Sequence, residues 1–119
     1  MEIINIIGGI IFGGFFVYNG VMHFIKLDSM TAYADSKRVP KPKFAVLFGG
    51  IMLIIGGLSV MTGFASAIGV WILVIFMLAT TAMMHRFWDA TDPMVRMSET
   101  VQFAKNIAII GALLMIATK

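Results

Sequence analysis

Four long apolar runs, at about residues 3–22, 44–61, 67–84 and 103–118, divide the chain, and polar residues collect between them. Each run is close to the roughly 17 to 25 residues that a helix needs to cross about 30 Å of hydrocarbon. The pattern predicts an all-α fold, a transmembrane four-helix bundle forming a single membrane domain over residues 1–119. The first run has no basic leader and no small-residue cleavage site behind it, so it is expected to remain as a span rather than act as a removable signal.

Within the spans the pattern is finer. Gly9 and Gly13 stand four apart on one face of the first span, where another helix backbone can approach closely. The second span repeats the device with the pairs Gly49, Gly50 and Gly56, Gly57, seven residues apart and so two turns along the same face. The short turn at 62–66 predicts that spans two and three form an antiparallel hairpin. Trp71 and Trp88 flank the third span and suit the two membrane interfaces, where an indole places its apolar body and its N–H in different media.

Between spans one and two, Leu27, Met30, Tyr33 and Ala34 recur at helical spacing, opposite Asp28, Asp35, Ser36, Lys37 and Arg38. A short amphipathic interfacial helix fits this pattern, ending before Pro40; a solvated basic loop is the alternative reading. Asp92 followed by Pro93 is a helix start, with an oxygen to cap free N–H groups and a ring pre-set for the first turn. An amphipathic lead-in to the fourth span then brings Lys105 and Asn106 to the membrane boundary.

Composition narrows the class. The chain is 60% hydrophobic, with a mean hydropathy of +0.96, more than a soluble domain of 119 residues could bury. It has no cysteine, which excludes a thiol nucleophile and any cysteine-ligated zinc or iron–sulfur site. No Walker loop, HExxH or GxSxG is present, and the 11 methionines suit gap filling in the core better than metal ligation. The net charge of +3 is spread through loops rather than set in an array for nucleic acid.

Those charges predict an orientation. Lys26, Lys37, Arg38, Lys41 and Lys43 lie in the first loop, and Arg86, Arg96 and Lys105 lie in or beside the third, eight of the nine basic residues; Lys119 alone falls on the other face. The positive-inside rule puts loops one and three in the cytoplasm and both termini outside.

The same count brings Asn19 and His23, four apart at the end of span one, to the same face as His85, Lys105 and Asn106. If the third helix continued one turn beyond His85, Asp89 would stand at i+4 and could accept the imidazole N–H. Such a cluster at the mouth of an apolar bundle has the composition of a headgroup site, since polar groups at membrane depth face partners or cavities. Its plainer reading is snorkelling, in which these side chains only position the helices. A quinone suits the cluster, its carbonyls accepting hydrogen bonds while its tail lies among the spans. A bis-histidine haem would need both rings deeper, and is disfavoured. No metal site is expected.

The span-one histidine, the segment closing on Val39-Pro40, the paired glycines, His85-Arg86-Phe87-Trp88 and Phe103-Ala104-Lys105-Asn106 together resemble the DoxX family over nearly the whole chain. The resemblance implies a small four-helix protein of a prokaryotic cytoplasmic membrane. It also implies a link to quinone chemistry or oxidative-stress complexes, the family being named for a subunit of a thiosulfate:quinone oxidoreductase; more distant eukaryotic proteins of similar shape act as assembly factors. Many members carry a carboxylate before the second-span glycines, where this chain has Met52, Leu53 and Ile54, so a proton-handling role through that group is not available here. Two functions are therefore expected to compete: a quinone-linked redox or accessory subunit working with a redox partner or a second copy, and a structural or assembly subunit without catalysis of its own. An ion carrier is a third and weaker reading, because no charge lies deep in a span.

Overall fold

The computed structural model describes residues 2–118 and is helical almost throughout. Five helices follow one another: α1 (Glu2–Ile25), α2 (Leu27–Ser36), α3 (Pro42–Thr62), α4 (Ser66–Met84) and α5 (Pro93–Ala117), with one 3-10 turn at Phe87–Asp89. Helices α1, α3 and α5 are long and apolar enough to cross a membrane, as is α4 together with the turn that follows it. The molecule measures 46 × 26 × 19 Å, and its long dimension matches a bilayer of about 40–45 Å with its headgroups. Large apolar side chains such as Ile3, Ile11, Phe48 and Ile75 face outward, as lipid-facing positions do. The basic residue Lys119, placed on the far face by the charge count, lies outside the described residues.

Helix boundaries follow local chemistry. Asp92 caps α5 by accepting from the Met94 backbone N–H at 3.1 Å, with Pro93 in the first turn. The first loop forms a helix, α2, rather than a solvated coil, and Ala34 on its apolar side is buried. The chain leaves α2 through Arg38 and Lys41, both left-handed, at φ 62° and 48°.

Glycine decides which helices touch most closely. On α1, Gly9, Gly13 and Gly20 face α3; a Cβ at Gly13 would lie 2.5 Å from the Gly57 carbonyl oxygen, and one at Gly20 would lie 2.8 Å from that of Gly50. Neighbouring helix positions differ by about 100° in direction, so each glycine pair of α3 serves two partners. Gly50 and Gly57 admit α1, whereas Gly49 and Gly56 admit Phe76 and Leu73 of α4. Beneath these contacts lies one core of Phe16, Leu53, Val70, Leu73, Val74, Met77, Ile110 and Leu113, drawn from all four long helices. Trp71, near the start of α4, and Trp88, beyond its end, are each about half exposed.

Candidate functional site

At the end of the bundle where the first and third loops meet, α4 stops at Met84. The expected extra turn through Asp89 does not form: His85 closes the helix with φ −115° and ψ 54°. Aromatic packing gives the reason. Phe87 and Trp88 turn aside to meet Phe103 of α5 edge to face, with ring centroids 5.3 and 5.8 Å from it. Asp89 is carried away from His85 and pairs instead with Arg86, Oδ2 to Nε at 3.2 Å.

The carboxylate that meets His85 is Glu99, on the first turns of α5, and it is 5% exposed. Its Oε1 takes His85 Nδ1 at 3.3 Å, Oε2 takes Lys37 Nζ at 2.5 Å, and the Tyr33 hydroxyl donates to both oxygens at 3.0 Å. Arg86 adds a further tie by donating from Nη2 to the Lys37 carbonyl at 2.8 Å. A buried carboxylate is costly unless charge and donors surround it, and here they come from α2 and from the residue that ends α4. Burial, reinforced by hydrogen bonding to Glu99 and by its charge, pushes the Tyr33 hydroxyl up to about 12.

The remaining sequence-predicted residues gather beside this cluster. A cavity of about 200 Å3 in the gap between α1 and α5 is lined by Asn19, His23, His85, Lys105 and Asn106 together with Thr80 and Gln102. Asn106 is buried at 4% exposure, Asn19 donates back to the Phe15 carbonyl at 2.7 Å, and Lys105 Nζ lies 5.9 Å from the centre of the Phe15 ring. Of the six residues put forward from the sequence, only Asp89 is outside this group. A second cavity, about 670 Å3 and mostly apolar, lies between α2, α3 and α4 and is walled by Tyr33, Val46, Met52, Phe76 and Met84. His23 and His85 line both cavities. The His23 ring is held by its Nδ1, 2.9 Å from the Val46 carbonyl oxygen.

Sequence reasoning passes over Tyr33, Lys37 and Glu99 as site residues. One signal is available for Glu99, which stands two turns before Asn106 on a buried stripe that continues through Ile110 and Leu113. Tyr33 and Lys37 have none, because their partner is more than sixty residues away.

Comparison with known proteins agrees with this architecture. The DoxX family model matches residues 5–86, from the first span to the His85-Arg86 corner. A curated relative, the inner membrane protein YphA of Escherichia coli (strain K12), is 26% identical over 102 residues, covering 86% of this chain and 72% of that protein. No solved structure matches the chain. With four membrane-crossing helices, the His85-Arg86-Phe87-Trp88 corner and a family match over most of its length, the chain belongs to the DoxX family.

Proposed function

We propose that this integral membrane protein binds the ring of a quinone-like amphiphile at the polar end of its bundle and serves as a quinone-linked redox or accessory subunit. The observation that carries the reading is the position of His23 and His85, on separate helices, in the walls of both the apolar and the polar cavity. A tail fits the apolar space, and a ring at its mouth meets imidazole, amide and hydroxyl groups. A redox role requires a partner to carry electrons, since a chain without cysteine forms no cysteine-ligated cluster. The charge count supports loops one and three in the cytoplasm and both termini outside; a terminal tag labelled only after permeabilisation would refute that orientation.

The binding site is tested by titrating a short-tailed quinone, in both its oxidised and its reduced form, into the purified protein in nanodiscs. His85→Ala is expected to weaken binding about tenfold, the loss of one or two good polar contacts. Equal binding by the variant removes His85 from the site.

A second reading, an assembly subunit without chemistry of its own, draws on Gly8 and Gly14 of α1, at each of which an added Cβ would meet nothing, so that the backbone is open there to another span. Native-gel migration from mild detergent separates the two: a large stable particle that forms without any quinone requirement favours assembly.

A further inference from the structure

Both histidines are tied at the same ring nitrogen, and both ties are to oxygens that accept. His23 Nδ1 meets the Val46 carbonyl, which has no proton to give. His85 Nδ1 meets Glu99, whose carboxylate already receives Lys37 and Tyr33 and is therefore an ionised acceptor. In each case Nδ1 must carry the proton. A neutral imidazole has one N–H and one lone pair, so in its neutral form each ring presents an unprotonated Nε2. Neither Nε2 has a hydrogen-bond partner among the described residues.

Of the polar groups on the apolar cavity two hydroxyls are spent elsewhere, while Lys26 and Thr80 remain as donors. Tyr33 gives its proton to Glu99, and Ser29 gives its proton to the Lys26 carbonyl at 3.3 Å. What the two rings offer a ligand is a pair of acceptors. A quinone carbonyl also only accepts, whereas a hydroquinone brings O–H donors.

We infer that the site, if it holds a quinone-like ring as proposed above, selects the reduced hydroquinone form, with Nε2 of His23 and His85 accepting from ring hydroxyls and with Val46 and Glu99 fixing the two tautomers. Glu99 is thus a positioning residue. It acts on the ligand through His85, and its burial beneath Lys37 and Tyr33 keeps its charge in place.

The test compares three probes by calorimetry on the protein in nanodiscs: a short-tailed benzoquinone, its hydroquinone under argon with excess reductant, and the dimethyl ether of that hydroquinone, which keeps the ring and loses both donors. The hydroquinone is expected to bind about tenfold tighter than either of the others, the scale of one or two net hydrogen bonds. Quinone binding as tight or tighter overturns this inference and leaves the ring site standing; no binding of any probe overturns both. Nitrogen-15 spectra of histidine-labelled protein give a separate check, simplified by there being two histidines. Both neutral rings are expected in the Nδ1–H form, and an Nε2–H form at either overturns the assignment. In Glu99→Ala the His85 signal is expected to move toward mixed tautomers while His23 is unchanged, and an unmoved His85 signal refutes the role of Glu99.

Discussion

Helix α1 has two unlike sides. Toward α3 it offers Gly9, Gly13 and Gly20, and the two backbones close until a Cβ at Gly13 or Gly20 would collide with the opposite chain. Away from α3 it offers Phe15 and Asn19 to a cavity of about 200 Å3 that stays open before α5. In lipid, where apolar burial gains little between helices, contact depends on shape and on polar bonds. Small residues therefore seal one side, and bulky or polar ones hold the other apart and give it chemistry.

The largest effect is expected where the sealed side is forced open. Gly57→Leu places a side chain against the Gly13 carbonyl and Val17, a clash at or beyond the about 1–3 kcal/mol usual for overpacking. Loss of the monodisperse folded protein on gel filtration is expected, whereas Gly111→Leu, in open space, should behave like the parent. Equal behaviour of the two variants would show that α1 and α3 are not in backbone contact.

Next comes the polar end. Glu99→Ala leaves Lys37 and the Tyr33 hydroxyl without their acceptor, with an expected loss of about 1.5–3 kcal/mol, the range for hydrogen bonds to a charged group. A lower thermal midpoint should accompany faster trypsin cleavage at Lys37 and Arg38 as α2 loses its tether. Unchanged cleavage would mean that α2 is held by its contacts with α3 alone.

A smaller change is expected inside the open side. Lys105→Met removes a cation above the Phe15 ring, worth about 0.5–1 kcal/mol at such sites. Thermal unfolding should move little, and a large shift would show that the gap is braced by Lys105 rather than by the aromatic packing around it.

The smallest signal is the alkaline titration of Tyr33. Its hydroxyl is raised from 10.0 to about 12, so the folded state favours the protonated form. That contribution is whole below pH 10 and is lost as pH rises toward about 12. Tyr33→Phe should delete a late phenolate phase from the ultraviolet titration; a late phase that persists would assign it elsewhere.

Hydropathy, spacing and end signals make the four spans and the Asp92-Pro93 start of α5 legible in the sequence alone, and leave the amphipathic α2 as one of two readings of its loop. Each depends on residues within a turn or two of one another, so the chain states them locally. The paired glycines are legible as contact faces, but not that Gly49 and Gly56 turn to α4 while Gly50 and Gly57 turn to α1. The neighbourhood of His85 escapes a local reading for the same reason: a helical extension to Asp89 satisfies local rules, and only the distant Phe103 shows why the chain turns aside. Glu99 meeting Tyr33 and Lys37 joins positions more than sixty residues apart. Such a pairing is set by how α2 and α5 are carried to one end of the bundle, which long-range packing decides and local sequence does not encode.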